Sequence, residues 1–197
     1  MTIIAFPNDP KIAQIMWTPP AKTQINRSTF VGRRRGTILP SAGFWKCQVS
    51  FPLVMSEAEF LPWRAFLLAC NGQANSFRIE IADSPQTAAT SVLVNGAGQA
   101  GLSLATDGWP TSGIVLKAGH AITVGEQPIV LAADAVASGG AATLSLSRVL
   151  RSSPADNAPV EVRLPTALMA SEKDDLPYTA LPGQMYQIQP FGCEEAF

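Results

Sequence analysis

The sequence predicts a mainly β protein of the α+β class, built from short strands and one packed helix. The 16 Pro and 15 Gly among 197 residues interrupt the apolar segments often, which is typical of many turns between short elements. One stretch, near residues 56–70, instead repeats its apolar residues at helical spacing. Strands before and after a single helix indicate an α+β unit in which β structure dominates.

The predicted strands come on both sides of the helix. Phe77, Ile79 and Ile81 alternate with Arg78 and Glu80, so one face of that strand is apolar and the other polar. Similar short segments predict further strands near residues 44–51, 91–94, 113–116, 121–124, 129–131, 142–147 and 186–191.

The helix has recognisable signals at both ends. Ser56 and Glu59 form a capping box, and Asn71 followed by glycine is a typical helix end. Pro62 lies inside the pattern, so we expect either a bend or a later helix start. The apolar stripe that the helix would bury consists of Phe60, Trp63, Leu67 and Cys70. Burying the first three contributes on the order of 5–8 kcal/mol.

Three regions are expected along the chain. Residues 1–82 form a core that includes the helix. Residues 83–150 carry several strands separated by glycine and form a β-rich insertion or the second half of the sheet. Residues 151–197 begin with a proline-rich segment, extended or loop-like as far as residue 182, and end in a strand that returns to the core.

Composition excludes several classes of function. Charged residues make up 15% and hydrophobic residues 47%, and the net charge is −1, unlike the strongly basic balance of a dedicated DNA-binding protein. No run of about 18 apolar residues predicts a membrane span, and the N-terminus lacks the features of a signal peptide. The three widely spaced cysteines are expected to be reduced, partly buried thiols.

Two motifs suggest chemistry that their surroundings do not support. Residues 96–101 match the GxGxxG pattern, but Gly108 and Pro110 leave room for two helical turns at most, and no acidic residue follows at the required distance. We therefore expect a glycine-rich hairpin loop. His120, the single histidine, has no metal-ligand or triad spacing around it and is expected in a turn. The sequence predicts no cofactor, no metal and no catalytic residue.

The sharpest charge cluster is Arg33, Arg34 and Arg35. It suits either contact with phosphate and passing DNA, or a loop that is solvated or pairs with carboxylates of a neighbouring subunit. The second interpretation is favoured, and the candidate acidic partners are Glu194, Glu195, Asp174 and Asp175.

The four tryptophans are expected to anchor the core or an interface. A sugar-binding role is the alternative, with Trp109 between Gly108 and Pro110 as the best anchor.

The order of features along the chain resembles that of the distal tail proteins of long-tailed bacteriophages and related prophage tail proteins. The features are an N-terminal segment rich in Pro and Trp at residues 16–20, the aromatic segment at residues 43–45, the capped helix and loop at residues 56–72, the strand at residues 76–79, the strand–glycine–strand segment at residues 113–131 with its continuation to residue 151, and the C-terminal residues 194–197.

The resemblance implies a split β-barrel of tail-tube type with the helix packed against it. It also implies a hexameric ring in the virion tail that joins the tail tube protein to the tail-tip hub protein. Such a ring catalyses nothing, leaves a channel through which DNA passes, and is assembled in the host cytoplasm. A tail tube subunit or tail completion protein shares this plan, and a tail-tip module that binds a host glycan is a further alternative.

Overall fold

The computed structural model describes residues 2–9, 11–21, 23–38 and 43–196. Over these residues the protein is mainly β with one helix, which confirms the predicted fold class. The chain divides into two compact units. Unit 1 comprises Met1–Pro19, Phe44–Ile79 and Leu168–Phe197, and unit 2 comprises Pro20–Gly43 and Glu80–Ala167. The expected insertion at residues 83–150 lies inside unit 2, whereas residues 1–82 are shared between the two units.

Eighteen strands and one helix are defined in the described part of the chain. In chain order they are β1 (Ile3–Ile4), β2 (Gln14–Thr18), β3 (Thr23–Arg27), β4 (Arg34–Ile38), β5 (Lys46–Ser50), α1 (Glu57–Cys70), β6 (Ser76–Glu80), β7 (Val92–Val94), β8 (Ser103–Asp107), β9 (Ser112–Leu116), β10 (Ala121–Val124), β11 (Gln127–Val130), β12 (Ala135–Ser138), β13 (Ala141–Ser145), β14 (Pro159–Glu161), β15 (Thr166–Ser171), β16 (Tyr178–Leu181), β17 (Met185–Ile188) and β18 (Phe191–Glu195).

The main sheet of unit 1 has six strands in the order β1-β6-β15-β18-β5-β2. The C-terminal strand β18 pairs antiparallel with both β15 and β5, so the end of the chain lies in the middle of this sheet. β16 and β17 form a separate two-stranded sheet. The sheets formed by the described residues stay open and do not close into a barrel of the kind that the resemblance implies.

Helix α1 begins and ends where its capping signals predict. The Ser56 side chain accepts a hydrogen bond from the backbone N–H of Glu59 at 3.3 Å, and Asn71 ends the helix with a φ of 48°. Pro62 does not displace the start. It removes the hydrogen bond to the carbonyl of Ala58, and both residues are exposed, so water can satisfy that carbonyl. The predicted stripe is buried, together with Phe66.

An aromatic cluster forms the core around α1. Trp63 is fully buried, and its ring meets Phe6 at 5.2 Å and Phe51 at 4.6 Å between centroids. Phe60 stacks on Tyr186 of β17 at 4.2 Å, with the rings almost parallel. Edge-to-face and stacked geometries of this kind add stabilisation beyond the area buried. The cluster therefore joins α1 to segments far away in the sequence.

Unit 2 contains an antiparallel sheet of eight strands in the order β11-β10-β14-β7-β8-β13-β12-β9. Its core is mostly aliphatic, with Leu104, Ile122 and Leu144 fully buried and Trp109 as its aromatic member. Three of its seven pairings join consecutive strands, namely β7 with β8, β10 with β11 and β12 with β13.

The local structure differs from the prediction at three places. The segment at residues 151–182, expected to be extended or loop-like, contains β14, β15 and β16. Pro159, Pro165 and Pro177 lie at the starts of these strands or just before them, where no ladder hydrogen bond is lost. The single final strand predicted at residues 186–191 is divided into β17 and β18 near Pro190. Strand β8, at Ser103–Asp107, was not among the predicted strands.

No helix among the described residues is both long enough and apolar enough to span a bilayer.

Candidate functional site

Strands β3 and β4 form an exposed hairpin, which we call the arm (residues 23–38). The strands pair antiparallel from Thr23 opposite Ile38 to Arg27 opposite Arg34. Every residue from 23 to 37 is exposed, so both faces of the ribbon are open to solvent. Five residues per strand give a ribbon about 17 Å long. An isolated two-stranded ribbon is marginally stable in water, which favours a role in contact with another surface.

The tip of the arm is a well-defined turn with apolar side chains. The backbone N–H of Ser28 donates to the carbonyl of Arg33, and Gly32 N–H donates back to the carbonyl of Ser28, both at 3.0 Å. Gly32 adopts a φ of +65°, which favours glycine. Phe30 is 99% exposed and Val31 is 78% exposed. The turn therefore presents two apolar side chains to solvent in a fixed position.

The arm is also strongly basic. It contains four Arg and no Asp or Glu, whereas the whole chain has a net charge of −1. Arg27 lies directly opposite Arg34 in the strand register, and like charges at opposed positions destabilise a hairpin. Arg34 and Arg35 point to opposite faces of the ribbon, as neighbouring strand residues do. This arrangement concentrates positive charge without a carboxylate on the same hairpin.

The acidic residues at the C-terminus have structural roles. Glu195 is only 5% exposed, and its Oε2 accepts the backbone N–H of Trp45 at 2.9 Å, so it is not available as a surface partner for the arginines. Glu194 is half-exposed and lies 3.4 Å from Lys46 Nζ. Lys46 also bonds Glu172 at 2.6 Å, and these two carboxylates, Glu172 first, raise the pKa of Lys46.

The other predicted acidic pair, Asp174 and Asp175, lines a cleft of about 700 Å³ in unit 1, which we call the acidic cleft. Its apolar wall includes Leu68, which is 74% exposed. Its remaining lining residues are Arg64, Leu67, Asn71, Gly72, Leu176, Pro177 and Tyr178. Asp174 Oδ1 accepts the N–H of Gln73 at 3.3 Å. The C-terminus of α1 ends at this cleft and adds negative partial charge.

The glycine-rich segment is a hairpin loop, as predicted. It connects β7 to β8, so a strand follows where a dinucleotide-binding motif needs a helix N-terminus. The side chain of Gln99 fills the loop by donating to the carbonyls of Asn95 and Gly96 and accepting the N–H of Ala105. Asp156 accepts the N–H of Gly96 at 2.8 Å, and its carboxylate disfavours a phosphate at that amide.

His120 lies in the turn before β10, where the sequence predicted it. Its imidazole Nδ1 accepts a hydrogen bond from the backbone N–H of Lys117 at 3.3 Å, and the backbone N–H of His120 donates to the carbonyl of Lys117 at 3.0 Å. Asp134 accepts the N–H of Ala118 in the same turn. These hydrogen bonds give His120 a role in closing the turn. Within residues 2–9, 11–21, 23–38 and 43–196, no three His, Cys, Asp or Glu side chains are grouped to hold a metal ion.

The tryptophans contribute mainly to the cores. Trp109 is only 6% exposed, and its indole N–H donates to Thr106 Oγ1 at 2.8 Å. The hypothesis of an exposed sugar-binding Trp109 is therefore wrong. Trp45 and Trp63 are also buried, and Trp17 packs edge-on against Trp45 at 6.0 Å.

All three cysteines are free, as predicted, and they are fully buried where partial burial was expected. Cys47 lies opposite Cys193 in the pairing of β5 with β18. Their mutual hydrogen bond, together with burial, raises the pKa of Cys193 far above its usual range. Burial raises the pKa of Cys70 to about 11. Cys70 and Cys193 therefore stay protonated near neutral pH, which makes them poor nucleophiles.

No protein-family model and no curated protein matches this chain.

The arginine cluster was visible in the sequence, but the arm that carries it was not predicted. The available signal was the pair of β-prone segments at residues 23–27 and 34–38 flanking the glycine-containing turn. The missing alternation of apolar and polar residues concealed it, because a ribbon exposed on both faces has no buried side to impose that pattern.

Proposed function

We propose that this chain is a structural subunit of a bacteriophage tail, of the distal-tail type. Six copies form a rigid ring that joins the tail tube protein to the tail-tip hub protein and leaves a channel for DNA. In this role the chain catalyses nothing, binds no cofactor and meets DNA only as passing cargo. It is assembled in the host cytoplasm and ends in the virion tail.

The exposed arm is the observation that carries this proposal. A hairpin with solvent on both faces and a 99% exposed Phe30 at its tip gains little stability within its own chain. Apolar side chains presented in this way mark surfaces that bind other proteins. A heterologous contact, in which one surface of a subunit binds a different surface of the next, closes into a ring when the rotation allows.

The two packed cores also suit a wall-forming subunit. Helix α1 buries Phe60, Trp63 and Leu67, so its position is fixed by a dense set of contacts. The mainly β architecture with one helix agrees with the layout that the sequence resemblance implies. A tail tube subunit or a tail completion protein has the same requirements and is the alternative within this class.

The test is to locate the chain in purified particles of the phage that encodes it. Mass spectrometry is expected to detect the chain in the particles, and electron microscopy to place six copies between tube and tip. Particles that are complete and infective without this chain would contradict the proposal. A copy number matching the tube subunit would instead assign it to the tube.

A variant in which Arg33, Arg34 and Arg35 are all replaced by alanine tests the arm in the particle. These side chains are exposed, so the monomer is expected to fold normally while ring or tail assembly weakens. The measurements are the circular dichroism spectrum of the isolated chain and the yield of complete tails. Normal tail yield would show that the arginines take no part in assembly.

A further inference from the structure

We propose that the arm of one copy docks into the acidic cleft of a neighbouring copy. This inference rests on the proposed function, since it names the two surfaces that would join successive subunits. The arm supplies an apolar tip and a basic ribbon, and the cleft supplies an apolar wall and a carboxylate pair. The two surfaces are different, so the contact is heterologous and leads from each copy to the next.

The apolar parts of the two surfaces match in kind. Phe30 and Val31 project from a fixed turn, and the cleft exposes Leu68 beside Tyr178, which is 40% exposed. A cleft of about 700 Å³ has ample room for one aromatic side chain and its neighbour. Aromatic anchors that fill pockets contribute much of the free energy of binding at protein interfaces.

The charges of the two surfaces are complementary. Arg33, Arg34 and Arg35 lie directly after the apolar tip, and Asp174 and Asp175 lie beside the apolar wall of the cleft. The cleft contains one basic side chain, that of Arg64, against these two carboxylates and the negative end of α1. Docking the arm would also relieve the repulsion between Arg27 and Arg34 across the hairpin.

A second copy explains both halves of the arm better than a nucleic acid does. Phosphates would neutralise the arginines, but they offer no apolar surface for Phe30 and Val31. The cleft offers carboxylates and apolar side chains within one site. DNA binding by the arm is therefore treated as an outcome of the test.

The experiment exchanges the charges of the two surfaces. One variant, arm-reversed, carries R33E, R34E and R35E, and the other, cleft-reversed, carries D174K and D175K. Sedimentation velocity over a range of concentrations measures the self-association of the wild type, of each variant alone, of an equimolar mixture, and of a chain carrying all five substitutions. We expect each variant alone to self-associate about tenfold more weakly or worse than the wild type.

The mixture is the decisive sample. The reversed arm fits the reversed cleft, and the native arm fits the native cleft, so alternating copies are expected to restore wild-type association. Asp174 accepts the N–H of Gln73, so D174K can disturb the fold of unit 1. Protection of the buried thiols from a labelling reagent shows whether the cleft-reversed chain is folded, and if that protection is lost, the variant D175K alone is used in its place. Phe30→Ala is expected to weaken association similarly, with Ile114→Ala, an exposed apolar residue of unit 2, as the matched control.

Each other outcome overturns the inference in a recognisable way. If wild-type self-association returns in the chain with all five substitutions but not in the mixture, the arm docks on the cleft of its own chain. If the arm-reversed variant associates like the wild type, the arm takes no part in the interface, although the proposed ring can still form. If that variant also loses binding to duplex DNA that the wild type shows, the arm binds DNA. A wild type that stays monomeric at every concentration would also contradict the proposed ring.

Discussion

The core of unit 1 is built around aromatic side chains, whereas the core of unit 2 is mostly aliphatic. The aromatic cluster of unit 1 draws Phe6 from the first segment, Trp63 from the second and Tyr186 from the third. The core of unit 2 consists mostly of Val, Leu, Ile and Ala from a sheet in which three of the seven pairings join consecutive strands, whereas no pairing in the main sheet of unit 1 does so. The first core closes only after distant segments have met, whereas part of the second can form through local hairpins.

This difference makes unit 1 the region that depends most on single side chains. A ring that contacts several other rings joins several segments at once, so its removal leaves a large cavity at their meeting point. An aliphatic side chain in unit 2 is one of many similar contributors to its sheet. The cysteines give a convenient way to observe the contrast, because all three lie buried in unit 1.

The largest expected effect follows Trp63→Ala. Trp63 is fully buried against Phe6, Phe51 and Phe66, so we expect its removal to lower the free energy of unfolding by about 3–5 kcal/mol. Labelling of the thiols by a disulfide reagent near neutral pH is then expected to accelerate about a hundredfold or more. Leu61→Ala, at an exposed position of the same helix, is the control and is expected to label like the wild type.

The mirror experiment replaces Leu144, which is fully buried in unit 2, by alanine. The expected cost is about 2–5 kcal/mol, but the thiols of unit 1 are expected to remain protected while amide exchange in β13 accelerates. Equal acceleration of thiol labelling in the Trp63 and Leu144 variants would show that the two units open together, and the contrast between them would then be structural only.

A smaller effect is expected at Gly108, in unit 2. Its φ is +82°, and an added Cβ would lie 2.2 Å from the carbonyl oxygen of Ser91. Gly98 has a similar φ of +76° but open space around the Cβ position, so Gly98→Ala measures the backbone strain alone. We expect Gly98→Ala to cost about 1 kcal/mol and Gly108→Ala clearly more, as measured by urea unfolding. Equal costs would indicate that the Ser91 segment moves away freely.

The same contrast explains how much the sequence could predict. In the eight-stranded sheet of unit 2, alternation or flanking glycines located five strands within a few residues, namely β7, β9, β10, β11 and β13. In unit 1 the helix was predicted because Ser56 and Asn71 cap it. The pairing of β18 between β15 and β5 was not predictable, since Phe191 of β18 packs against Phe51 and Phe77, both more than a hundred residues earlier in the chain.

The residues of the candidate site were also predictable from the sequence only in part. The arginines were visible as a charge cluster, and Asp174 and Asp175 were recognised as possible partners, but the cleft that contains the aspartates arises only when β16 and α1 pack together. Glu195 looked equivalent to Glu194 in the sequence. The strand register separates them, turning Glu195 into the core to bind the Trp45 amide while Glu194 faces solvent.

The smallest expected effect is a pH dependence confined to unit 1. Burial raises the pKa of Cys70 from its ordinary 9.0 to about 11, so the folded chain keeps a proton that the unfolded chain releases. Between pH 9 and 11 the unfolded state therefore binds fewer protons, and the free energy of unfolding falls as the pH rises. We expect urea unfolding at pH 8, 9 and 10 to show this decline, and Cys70→Ala to make it shallower.

Cys193 keeps part of the decline in the Cys70→Ala variant, because its pKa is also raised, first by the hydrogen bond to Cys47. The raised pKa of Lys46 acts in the same direction, but only above pH 10.5, beyond the measured range. A slope unchanged by Cys70→Ala would mean that water reaches this thiol in the native state. In that case unit 1 would open around the C-terminus of α1, the same end of the helix that borders the acidic cleft.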